Sequence, residues 1–177
     1  MRPLTRCLAA ALALAPLAAQ AAEPACLTSR EFTALSSYAL PSIIAGTSER
    51  CATVLPADAW LRHNGGELAA RYAKGKPAAW PAAKAAFLKV GGNSGSADTD
   101  NMLKSLPDAT LQTMFDALVS GMVVQHLPAQ RCGAVDRLVS LLAPLPSENT
   151  AELIALAAGI GATSGRARIG SISICPA

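Results

Sequence analysis

Apolar residues recur at every third or fourth position along most of this chain. Leu111, Met114, Phe115, Leu118 and Met122 form one face of a 3.6-residue period, in a segment that Asp108 opens after Pro107. Val135, Leu138, Val139 and Leu142 repeat the pattern, and Ser147 starts a further segment with Leu153, Ile154, Ala157 and Ile160. Upstream, Thr28-Ser29-Arg30-Glu31 reads as a capping box, opening a helix with Phe32, Leu35 and Ala39 on its apolar face. Ser42 is expected to cap a second segment through Ile43, Ile44 and Cys51 to Val54. Asp58 is expected to start a third through Trp60, Leu61, Leu68 and Tyr72. Asn64-Gly65-Gly66 is a candidate break in that third segment, because each glycine costs about 1 kcal/mol inside a helix. Pro81 suits the first position of a helix through Phe87, Leu88 and Val90, ended by Gly91-Gly92. Asp98 is expected to cap a short helix through Met102 and Leu106.

The tail departs from this habit. Ile169, Ser171, Ile172, Ser173 and Ile174 mix β-branched and small residues, which suits an extended strap pinned by Cys175 better than a lone strand without a partner. Prolines punctuate the chain at helix-sized intervals, alanine favours helix strongly, and no internal repeat is present. The fold expected is all-α: a single compact domain of about 6–8 helices, given ordinary helix lengths, with an extended C-terminal strap and two disulfides.

The first 21 residues change the remaining balances. Arg2 and Arg6 precede an apolar run from Leu8 to Ala19, and Ala19-Gln20-Ala21 fits a signal-peptidase site. Residues 1–21 are read as a secretory signal cleaved near Ala21/Ala22, leaving residues 22–177 as the helical domain. The apolar run is too short for the roughly 20 residues of a membrane span. A periplasmic or secreted protein that does not span the membrane is therefore expected. Loss of Arg2 and Arg6 lowers Lys+Arg from 15 to 13 against 12 Asp+Glu, so the net charge falls from +3 to +1. That near-neutrality argues against a nucleic-acid partner. Loss of Cys7 leaves Cys26, Cys51, Cys132 and Cys175, an even set in an exported chain with no CxxC spacing. Cys51 with Cys132 and Cys26 with Cys175 are the pairings expected, the second joining chain ends that tend to lie close in compact domains.

Candidate chemistry is sparse. Neither His63 nor His126 belongs to a metal-ligand pair, so no metal or cofactor is expected, and His126 suits a helix C-terminus. His63, Glu67 and Arg71 align at i, i+4, i+8 if their helix is continuous, so His63 and Glu67 are weak acid/base candidates for an envelope hydrolase. Such a row more often decorates a solvated helix face. Gly91 to Asn101 lacks the glycine and final glutamate of a calcium loop, the GxSxG of a nucleophile elbow and the lysine of a phosphate loop. Its first part, Gly91 to Ala97, reads as a flexible connection ending in the Asp98 cap. Arg62, Arg71, Lys74, Lys76, Lys84 and Lys89 share one window with Trp60, Tyr72 and Trp80, opposed within it by Glu67 alone. Aromatics and arginine favour interface centres, and a positive patch attracts an anionic protein or envelope component. Trp60, Arg62, Arg71, Lys74, Lys76, Trp80 and Lys84 are therefore the binding candidates. The function expected is a non-catalytic binding protein of the periplasm, one form being an inhibitor or immunity-type protein. The alternatives are the hydrolase above and a helical carrier of an apolar ligand.

Overall fold

Thr28 opens the longest helix as its sequence requires. The Thr28 backbone N–H donates to Glu31 Oε2 at 2.8 Å, and the Glu31 N–H returns a bond to Thr28 Oγ1 at 3.3 Å. The computed structural model describes residues 26–91, 97–162, 168–169 and 172–175. The expected signal segment and residues 92–96 of the expected glycine-rich connection lie outside them.

Helix α1 (Ser29–Cys51) runs through Pro41 without a break, so Ser42 is an interior residue and caps nothing. Proline removes one backbone bond and crowds the carbonyl four residues back, at a cost of about 3 kcal/mol. Burial offsets it: α1 is enclosed by α2 (Trp60–Ala73), α3 (Lys76–Gly91), α5 (Asp108–His126) and α7 (Ser147–Ala162). Pro41 is itself buried. Helix α2 is continuous across Asn64-Gly65-Gly66, and the reason is packing. A Cβ on Gly65 would stand 2.2 Å from Ser48 Oγ and 3.3 Å from Ser48 Cβ, so the glycine gives α1 and α2 the room to cross this closely. Gly46 does the same for α1 and α5, where a Cβ would lie 3.2 Å from the Ser120 carbonyl oxygen.

Helix α3 begins five residues before Pro81. Pro77 occupies its first turn, where no N–H is needed, and the amide that Pro81 lacks would have met only Pro77. Helix α4 (Ala97–Ser105) starts one residue before Asp98, which sits in the first turn and not at the cap. Helices α5 and α7 begin at Asp108 and Ser147 as expected, and α6 (Cys132–Leu142) follows a 3₁₀ turn at Ala129–Arg131.

The described helices share a core of Phe32, Leu35, Tyr38, Trp80, Leu111, Phe115 and Val119, extended by Leu40, Ile44, Leu68 and Tyr72 against Ala143 and Ala151. The α5 stripe is narrower than its periodicity implied. Leu111, Phe115 and Val119 face inward, while Leu118 and Met122 are 53% and 52% exposed, because α5 leans on α1 alone over any extensive area. Leu138 on α6 and Leu153 on α7 are exposed for the same reason: each of those helices buries a single flank.

The tail forms strands β2 (Arg168–Ile169) and β3 (Ile172–Ile174). Strand β3 lies between β2, antiparallel, and β1 (Cys26–Leu27), parallel. The expected strap thus has strand partners, one of them supplied by residues just before the capping box. Both disulfides pair as expected: Cys26–Cys175 with Cα atoms 5.0 Å apart, and Cys51–Cys132 at 5.5 Å. The second is buried and joins the end of α1 to the start of α6.

Candidate functional site

The basic window divides between two surfaces. Along α3, Lys76, Trp80 and Lys84 stand at four-residue spacing and face α5. Lys76 Nζ meets both oxygens of Asp116 at 2.5 Å, and Asp116 Oδ1 also accepts from Ser42 Oγ at 2.8 Å. Trp80 is 5% exposed, and its indole N–H donates to Asp108 Oδ2 at 2.9 Å while Lys84 donates to Oδ1 at 2.6 Å. Farther along, Lys89 is paired with Glu31 at 2.9 Å. The lysine charges are matched by carboxylates within the fold.

These pairs shift titrations. The Lys84 ammonium and then the Trp80 N–H hold the Asp108 carboxyl below its usual range. Burial pushes Glu31 up, but bonds from the Thr28 backbone, Lys89 and the Thr28 hydroxyl outweigh it and leave the carboxyl low. Tyr38 lies under Lys76 Nζ, 4.3 Å from its ring centre. Its phenol is pushed up to about 12, first by burial and then by the charge of Asp116.

The other half of the window, on α2, is arranged differently. Asp136 of α6 accepts from the Leu61 backbone N–H at 2.7 Å, capping α2 from another helix where Ala59 supplies no side-chain cap. At the other end, Arg71 donates to the Ala143 carbonyl, and the Tyr72 hydroxyl donates to the Leu145 carbonyl at 2.9 Å. Helix α2 is thereby fixed at both ends against α6 and the turn that follows it. Between these anchors lies an open cleft of about 280 Å³, lined by Trp60, Asn64, Glu67, Leu68 and Arg71 on one wall and Ser140, Ala143 and Pro144 on the other.

Trp60 is half-buried, and its indole N–H is not sealed from solvent. Glu67 is exposed and makes no hydrogen bond or ion pair among the described residues. Arg71 spends one donor on Ala143 and makes no ion pair with a carboxylate among the described residues, its guanidinium 5.8 Å from the Tyr72 ring centre. Asn64 donates to the Trp60 carbonyl at 3.0 Å, which leaves its side-chain oxygen to the cleft.

Of the sequence candidates, Trp60 and Arg71 share the cleft with Glu67. Arg62 does not join them: it donates to the Ala52 and Leu55 carbonyls, both at 3.1 Å, closing the end of α1. Lys74 lies just past the end of α2, exposed. His63 falls on the expected side of an unbroken α2, but its Nε2 is 2.7 Å from the Ala57 carbonyl oxygen, with no bond to Glu67 among the described residues. His63 and Glu67 are therefore not a hydrogen-bonded acid/base pair. Among the described residues no group of three or more His, Cys, Asp or Glu is gathered as metal ligands. Asn64, read in the sequence only as part of a helix break, was missed as a cleft residue, though its four-residue spacing to Trp60 was a signal that could have found it. Ser140 and Pro144 were not, because nothing in the sequence announces that α6 packs on α2. No known protein family, curated protein or solved structure matches this chain.

Proposed function

We propose that this chain is an exported, non-catalytic binding protein of the periplasm, which meets an envelope component through the α2–α6 cleft. The observation that supports this best is the unequal use of one residue set. The lysines of α3 are matched by Asp116, Asp108 and Glu31, whereas Trp60, Glu67 and Arg71 keep recognition chemistry directed to solvent. A cleft anchored at both ends of α2 is preorganised, which lowers the ordering cost of binding. Two disulfides suit an oxidising compartment.

Immobilised mature protein is expected to retain one component of a periplasmic extract. Trp60→Ala combined with Arg71→Glu is expected to lose it while the helical circular-dichroism spectrum stays intact. Undiminished retention by that variant refutes the assignment of the cleft.

A further inference from the structure

The cleft's own chemistry narrows what it takes. Trp60, Asn64, Glu67 and Arg71 lie along one wall of a single helix, a row of about 16 Å at 1.5 Å per residue. It offers, in order, the accessible part of an indole that otherwise packs against the core clusters of Leu68 and Leu61, an amide, a carboxylate and a guanidinium with donors to spare.

An acyl chain would strip water from Glu67 and Arg71 and return no hydrogen bonds. A polyanion satisfies Arg71 but meets Glu67, and a simple amine satisfies Glu67 but meets Arg71. The row suits a ligand without strong net charge that has a flat C–H face and a rim of groups able both to donate and to accept. A pyranose ring has that chemistry. Its polarised C–H face rests on the negative face of an indole, and each hydroxyl can donate to a carboxylate while accepting from a guanidinium.

We propose that the α2–α6 cleft binds a short saccharide with uncharged pyranose rings. One ring stacks on Trp60, and its rim hydroxyls bond to Glu67 and Arg71. This rests on the reading of the cleft as the binding face, and it names the ligand class.

The test titrates the mature protein with the disaccharide of N-acetylglucosamine, by calorimetry and by tryptophan fluorescence. Trp80 is buried and bonded to Asp108, so a ligand-dependent change or protection from acrylamide reports Trp60. Saturable binding is expected with protection of Trp60. Glu67→Gln is expected to weaken it about tenfold, the loss of one charge-assisted hydrogen bond. Because Glu67 is exposed and bonds to none of the described residues, that variant keeps the fold. Trp60→Phe should retain binding by calorimetry and lose the optical signal, and Trp60→Ala should lose both.

If the disaccharide fails to bind while a lysine dipeptide or polyphosphate protects Trp60, the saccharide inference falls and the cleft remains the binding face. Equal affinity of wild type and Glu67→Gln for the disaccharide also overturns the inference. If no probe protects Trp60 and Trp60→Ala with Arg71→Glu still retains the extract component, both readings fall.

Discussion

The two tryptophans mark two surfaces built from nearly the same residue types. On the α3–α5 seam, Trp80 is buried and bonded, and its flanking lysines are neutralised. In the α2–α6 cleft, Trp60 is half-buried with its N–H accessible, and Glu67 and Arg71 make no ion pair among the described residues. What separates them is the facing helix. Helix α5 presents Asp108 and Asp116 at the reach of Lys84 and Lys76, whereas the one carboxylate of α6 that meets α2, Asp136, is spent on a backbone amide. A cluster of basic and aromatic residues therefore says little about binding until the opposing element is known.

Removing the two indoles should break the comparison most visibly. Trp80→Ala is expected to cost about 3–5 kcal/mol in denaturant unfolding, the range for a large buried aromatic. Trp60→Ala is expected to cost about 1 kcal/mol, and equal losses would abolish the distinction. Next, Cys51→Ala with Cys132→Ala should cost about 2–4 kcal/mol and alter Trp60 emission, because that bridge holds α6 against the α1–α2 unit. Trp80 emission should not move. Lys76→Met leaves Asp116 half-exposed and without its cation, so a loss of about 1–3 kcal/mol is expected, between surface and buried pairs. Arg71→Met, which removes a bond to one carbonyl, should cost about 1 kcal/mol or less.

Acid provides the mildest probe. Asp108 and Glu31 both titrate below their unfolded values of 3.8 and 4.5. Their stabilisation is complete above those values and is lost as pH falls through the lower folded ones. Trp80 emission should therefore change below about pH 4 as Asp108 releases the indole. An equal response from Trp60 in a Trp80→Phe background would contradict the contrast.

Much of the fold could be read from periodicity and caps. The starts of α5 and α7 and the capping box of α1 followed from residues that act locally; the parity of the cysteines implied two disulfides but left three pairings open, and the pairing chosen among them rested on the closeness of chain ends in compact domains. The failures share one cause. Pro41, Pro81 and Gly65 weaken an isolated helix, so a reading by local propensity breaks the chain there. In the folded protein, contacts from distant helices outweigh that weakness at Pro41, and Gly65 is where a neighbouring helix needs room. The site was less legible. Trp60 and Arg71 stood out by type, but their difference from Trp80 and Lys76 depends on carboxylates about 30 to 40 residues away in sequence. Local spacing carries no such information.

The bridge between Cys26 and Cys175 also determines how the domain responds to being pulled. The Cα atoms of Cys26 and Cys175 lie 5.0 Å apart, so the two ends of the described chain leave the fold in adjacent positions. Tension applied through those ends crosses one covalent bridge and bypasses the 149-residue span between the cysteines. The helices bear none of the load. Anchored at one end and tugged at the other, the domain should act as an inextensible link, lengthening only once that bridge is reduced.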